Sequence, residues 1–280
     1  MATKKTAAST RKTVNKPAPS AKKTSTKVTT LKASAPAVAT SRSARFKFSR
    51  APLLAASVAE FIGTFLLATV ILAASGQPLF VLFAVLAIVL VIGGVSGAHL
   101  NPALTIGALA TRRITMVRAV CYVVAQALGG LLALVVLNAF VSAAPEVSQQ
   151  AQSFGQAAPT LFSAPALAEG KEWTILAAEL LGSVILAFGV AAAIRNRAGS
   201  VAHAFTYAGV LYVAVLLAGT AANYVGASAI LNPAVAGSLQ ALKFELWPIL
   251  VYVVTPLVGG VLGFALSDLL QSESEGVVKV

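Results

Sequence analysis

Two short stretches carry the residues best suited to act on a small polar molecule. They are Ser96-Gly97-Ala98-His99-Leu100-Asn101-Pro102-Ala103 and Leu231-Asn232-Pro233-Ala234. Asn is a preferred helix N-cap, because its side-chain oxygen accepts a backbone N–H of the first turn. Proline suits the next position, where its missing N–H is not needed and its φ is already helical. Each triplet, Asn101 with Pro102 and Ala103 and Asn232 with Pro233 and Ala234, therefore predicts a helix start. With the side-chain oxygens occupied in capping, the NH2 groups of Asn101 and Asn232 are left to donate to a visiting oxygen. Each helix start also presents about half a positive elementary charge. The helices themselves must be short: 104–111 runs into Arg112 and Arg113, and 235–242 into Lys243. Such a segment is roughly 15 Å long, half of a ~30 Å hydrocarbon core. Paired half-spanning helices in an apolar chain predict a pore, since irregular backbone at membrane depth is tolerated only inside protein or beside water.

The elements that position these stretches follow from composition. Of 280 residues 58% are hydrophobic and 11% charged, with a mean hydropathy of +0.84, which predicts a multi-pass integral membrane protein. Six apolar spans are expected at 52–75, 79–95, 117–140, 173–194, 201–220 and 246–269, with the half-helices after the second and fifth. Residues 1–50 hold thirteen of the 21 Lys and Arg and no acid, so the net charge of +12 resides in this segment. Its Lys, Ala, Ser, Thr and Pro lack apolar periodicity and predict a disordered basic cytoplasmic tail. With the tail inside, Arg112, Arg113, Arg118, Arg195 and Arg197 are cytoplasmic as well. Both termini are then cytoplasmic, and the plasma membrane is the expected location. The domain plan is a tail at 1–50, a membrane domain at 51–270 and a short C-terminal tail at 271–280. Within the membrane domain, halves at 51–140 and 173–270 flank an external loop at 141–172.

The chain repeats itself. Ala59-Glu60-Phe61-Ile62-Gly63-Thr64 matches Ala178-Glu179-Leu180-Leu181-Gly182-Ser183, and Tyr122-Val123-Val124 through Gly129-Gly130 matches Tyr252-Val253-Val254 through Gly259-Gly260. Three spans per half is an odd number, so the second copy is inverted, with a site at the midplane where discontinuous helices meet. The fold class is thus an all-α membrane protein with six transmembrane helices and two re-entrant half-helices in two inverted repeats.

These residues together, with the Ser-Gly-Ala-His lead-in and Pro256-Leu257-Val258-Gly259-Gly260, resemble the aquaporin and glycerol-facilitator family, the major intrinsic proteins, over about residues 51–270. The resemblance implies a homotetramer in the lipid bilayer, each protomer holding its own passive pore for water or small neutral solutes. It also implies no cofactor. Protons are expected to be excluded at the Asn pair, where a water accepts from both amides and loses its donor chain. Backbone carbonyls of the lead-ins at 97–100 and 226–231 are expected to face the lumen, with Gly97 and His99 in the wall. Glu60 and Glu179 are the only acids well inside spans. An intramembrane acid is a candidate for ion coupling, whereas the resemblance implies a supporting role as acceptors for the re-entrant backbone.

Departures from the family pattern concern the solute. Where the family usually places Arg after its second Asn-Pro-Ala, this chain has Val235, and Ala236 and Gly237 stand where glycerol facilitators often carry Asp. The second lead-in, from Gly226 to Asn232, is two residues longer than that from Gly97 to Asn101. By spacing, the remaining constriction positions are Val81, Ala218 and Ala229. All are small or apolar, so the outer filter is expected to be wide enough for glycerol, urea or ammonia. Two other classes compete: a coupled secondary transporter, which needs ionisable groups at the midplane, and a membrane anchor acting through the tail. The tail suits anionic lipid, at about 1 kcal/mol per base near the surface, or non-specific contact with nucleic acid. No nucleophile–base set or cluster of metal ligands suggests an enzyme.

Overall fold

The computed structural model describes residues 52–195 and 199–277. Six helices of 19 to 27 residues are long and apolar enough to cross a membrane. Helix α1 (Leu53–Ala73) follows Pro52, and α2 (Pro78–Ser96) starts on a proline and ends at Gly97, whose φ of 91° is the left-handed C-cap. Then come the half-helix α3 (Pro102–Ala110), the long α4 (Met116–Ser142) and a single turn, α5 (Gln149–Ser153), in the outer segment. The second half repeats this order with α6 (Glu172–Arg195), α7 (Ser200–Asn223) and the half-helix α8 (Pro233–Ser238). The predicted basic tail at 1–50, and Arg197 with it, lies outside the described residues.

The sixth span is not one regular helix. It opens as α9 (Leu246–Ile249), passes through a π turn over Leu250–Val254 and continues as α10 (Thr255–Val277). Pro256 has no N–H for the carbonyl four residues back, which would break an α-helix here. The Thr255 N–H instead reaches Leu250 O, five residues back, and the register shift absorbs the proline. Helix α10 also runs to Val277, through much of the segment expected as a C-terminal tail.

The second half-helix is shorter than its expected span of 235–242. It stops at Ser238 because Gln240 takes a left-handed φ of 59°, and Ala241 N–H closes on Ala236 O. The first half-helix ends the same way, with Arg112 at φ 59° and Arg113 N–H on Ala108 O. Beyond this end the Arg113 guanidinium pairs with Asp268 at 2.6 Å and lies 4.9 Å from the Phe264 ring, tying α3 to α10.

The halves interlock through their Gly-Gly pairs. Half-helix α3 packs on α10, and α8 packs on α4. A Cβ at Gly130 of α4 would stand 2.7 Å from Ala234 O of α8, and one at Gly260 of α10 would run into Ala103 O of α3. Their neighbours face the other way: a Cβ at Gly129 would run into Phe61 O of α1, and one at Gly259 would stand 3.1 Å from Leu180 O of α6. Thus one glycine of each pair serves its own half, and the next lets the other half's re-entrant backbone come close.

Candidate functional site

Asn101 sits extended at the head of α3, with φ −154° and ψ 122°, and its Oδ1 accepts Ala103 N–H at 2.8 Å. Asn232 does the same for α8, its Oδ1 accepting Ala234 N–H at 3.1 Å and Val235 N–H at 3.5 Å. The amides then cross between halves. Asn101 Nδ2 donates to Leu231 O at 2.8 Å, and Asn232 Nδ2 donates to Leu100 O at 2.9 Å. Each NH2 carries two hydrogens, so one N–H of each Asn remains for a guest. The crossing depends on the residue before each Asn. Leu100 and Leu231 hold φ of 55° and 59°, a left-handed geometry that costs a branched side chain about 1–3 kcal/mol and aims its carbonyl at the opposite Asn.

Two buried carboxylates hold these strained peptides. Glu60 accepts His99 N–H at 2.8 Å and Leu100 N–H at 2.7 Å, while Glu179 accepts Ile230 N–H and, at 2.9 Å, Leu231 N–H. Around Glu60 the network widens: Gln126 Nε2 donates to it at 2.7 Å and to Thr105 Oγ1 at 3.0 Å, and His99 Nδ1 lies 3.1 Å from that hydroxyl. Sequence reasoning missed Gln126 and Thr105. A lone Gln inside an apolar span, in the segment matched to Pro256, was the available signal.

A cavity of about 360 Å³ reaches both asparagines. Its lining includes Ser75, Gly76, Gln77 and Asn223, on the side of the segment joining the two halves, and Leu186 and Tyr207. Val81, Ala229 and Val235 are among its lining residues, and among the described residues no charged side chain lines it. Other residues expected in the wall lie elsewhere. Ala218 is not in the wall: it is fully buried and packs toward Gly182, where an added Cβ would lie 2.9 Å from it. Gly219 and Thr220 line the cavity instead. They follow Ala218 by one and two residues, about 100° and 200° around a helix, and so present a different face.

Gly97 is the cap of α2 and His99 packs on Thr105 and edge-on to Tyr122, so neither side faces the cavity. Pro102, Pro233 and Ala234 line an apolar cleft between α4 and α10, and Ala103 backs onto Gly260. Nor are all lead-in carbonyls offered to the lumen. Tyr207 donates to His99 O at 2.6 Å and Tyr252 to Ser228 O at 3.3 Å, while Leu100 O and Leu231 O take the Asn amides. One wall residue came from outside the repeats altogether: Phe162 of the outer segment.

Residues 47–266 match the sequence model of the family described as major intrinsic protein. The chain is 31% identical over 229 residues to glycerol uptake facilitator protein-like 6 of Lactiplantibacillus plantarum, covering 77% of this chain and 98% of that one. It is 29% identical over 242 residues to aquaporin Z of Photorhabdus laumondii, with 78% and 97% covered. Against aquaporin-1 of Ovis aries the match is 44% over 57 residues, so this chain spans only 21% of that relative. In fold it resembles the X-ray structure of the aquaglyceroporin from Plasmodium falciparum, with a TM-score of 0.59 at 18% identity over 78% of this chain and 96% of that one.

Proposed function

Because the chain belongs to the major intrinsic protein family, we propose that it is a passive channel for water and small neutral solutes, with its pore running past Asn101 and Asn232. The observation that carries this reading is the reciprocal crossing of the two amides, which leaves one donor from each Asn at one point of an uncharged cavity. A water or hydroxyl oxygen there accepts both donors, so its lone pairs are committed and its proton cannot be relayed along a file. The two half-helix starts add positive potential at the same point and repel cations. Glu60 and Glu179 act as supports for the re-entrant backbone: their oxygens are occupied by backbone N–H groups rather than turned to the cavity. That arrangement speaks against ion coupling.

The solute class follows from the outer half of the wall. Val81, Ala229 and Val235 supply neither charge nor side-chain donor there. A strict water filter must replace hydration with fixed polar groups, whereas this wall favours compact neutral molecules with an apolar flank, such as glycerol, urea and ammonia. An Arg at 235 would add a permanent cation and five donors. Proteoliposomes carrying wild-type protein should pass glycerol or urea alongside water in stopped-flow light scattering, and Val235→Arg should cut solute passage more than water passage. An unchanged ratio would remove Val235 from the filter.

The protein is an integral multi-pass membrane protein. Its assembly as a homotetramer is supported by exposed apolar side chains such as Phe80, Phe83 and Val91 on α2 and Phe205 and Val213 on α7, which suit lipid or a neighbouring copy. The basic residues Arg112, Arg113 and Arg118 support a reading in which the α3–α4 turn and both termini are cytoplasmic and the channel sits in the plasma membrane. The thirteen bases of residues 1–50 suit anionic lipid or, through charge alone, nucleic acid.

A further inference from the structure

We propose that Phe162, a residue of the outer segment rather than of either repeat, sets the size and polarity limit at the outer mouth. This rests on the channel reading above and deepens it. Two backbone hydrogen bonds stretch the segment across the mouth. Phe162 N–H donates to Leu72 O near the end of α1 at 3.2 Å, and Ala164 N–H donates to Leu239 O just past α8 at 3.0 Å. The tethers are two residues apart and reach opposite halves of the repeat, so the intervening peptide spans from one half to the other. The ring between them turns inward, into the wall that Val81, Val235 and Leu239 also form.

Its seat is specific. Gly76 holds a left-handed φ of 66°, and a Cβ there would approach the Phe162 ring to 3.1 Å. A glycine at this turn therefore serves the backbone and leaves room for the ring. Phe154, in the same outer segment, shows the contrast: it is 82% exposed and makes no part of the cavity. With Val81, Val235 and Leu239 the ring makes an apolar, uncharged flank of the wall, while Gln77, Thr220, Asn223 and Ser228 supply its polar part. A solute gives up hydration on the side of that flank without receiving donors from it, which penalises an ion heavily and the CH face of a polyol little. The wall thus selects by cross-section and by the presence of an apolar face on the solute.

The test compares permeability ratios in proteoliposomes for water, glycerol and the four-carbon polyol erythritol. Phe162→Ala should raise glycerol and erythritol passage several-fold relative to water, Phe162→Trp should lower both relative to water, and Phe154→Ala should leave the ratios unchanged. If Phe162→Ala does not fold, Phe162→Leu and Phe162→Trp decide the same ratio. A ring that merely pins the segment would change water and polyols in proportion, and constant ratios across the Phe162 variants overturn the proposal while leaving the channel intact. Folded wild-type protein that conducts neither water nor polyol overturns the channel reading itself, a different result.

Discussion

Glu60 accepts two backbone N–H groups and the amide of Gln126, whereas its counterpart Glu179 accepts only the N–H groups of Ile230 and Leu231 among the described residues. The backbone device is the same in both halves: a carboxylate under a left-handed Leu, an Asn cap, a half-helix closed by a left-handed residue. The side chains around it differ. In the first half His99, Thr105 and Gln126 form a buried polar cluster. At the matching places of the second half stand Ile230, Ala236 and Pro256. The proline explains part of this, because it removes an N–H and obliges the sixth span to take a π turn just before it. The inverted repeat thus preserves what shapes the path at the midplane and lets the supporting shell diverge. One half is held by a hydrogen-bond network and the other by packing.

The largest expected effect separates the two carboxylates. Glu60→Ala leaves at least three buried donors without that acceptor and Glu179→Ala leaves two, at about 1–3 kcal/mol for each donor. Thermal unfolding in detergent should therefore show the lower midpoint for Glu60→Ala. Equal midpoints would mean that Gln126 contributes nothing beyond the backbone contacts. Next come the interlocking glycines. Gly130→Ala and Gly260→Ala both push a methyl into backbone of the opposite half, and overpacking costs about 1–3 kcal/mol. Gly260→Ala should be the worse, because its Cβ would come closer to Ala103 O than that of Gly130 to Ala234 O. The reverse order in the same assay would put the tighter junction on α4.

The asparagines should behave alike. Asn101→Ala or Asn232→Ala removes a cap, about 1–2 kcal/mol, and one crossing bond, so each should reduce water permeability and stability by similar amounts. Asn223→Ala, at the mouth, should do neither. Unequal losses would show that the crossing is not the symmetric element it is taken to be. The smallest contrast lies in the two tyrosines that brace the lead-ins. Tyr122 OH reaches Ser96 O at 2.8 Å and Tyr252 OH reaches Ser228 O at 3.3 Å. Tyr122→Phe should cost about 1 kcal/mol and Tyr252→Phe less. A double comparison of unfolding midpoints resolves whether that difference in length matters.

Much of this was legible in the amino-acid order because it is governed by local rules. Capping by Asn101 and Asn232, proline at the first helical position, six apolar spans and the repeat offsets depend on neighbours in the chain, and apart from the end of α10 the helices begin and end within a few residues of expectation. The presence of a buried acid in each first span was equally visible. Other features required the tertiary structure. Which carbonyl each Asn amide would reach depends on the left-handed turns at Leu100 and Leu231 and on the opposite half being there to meet them. Whether Ala218 or Thr220 faced the cavity turned on how α7 packs on α6, where Ala218 meets Gly182, and two residues carry a side chain to the far face of a helix. Phe162 belongs to no repeat and no periodic pattern; its place in the wall comes from tethers to Leu72 and Leu239, which are distant in sequence and adjacent only once both halves have folded. Local chemistry determined the elements and their ends. Contacts between halves decided which faces line the cavity, because facing is a property of packed pairs rather than of single segments.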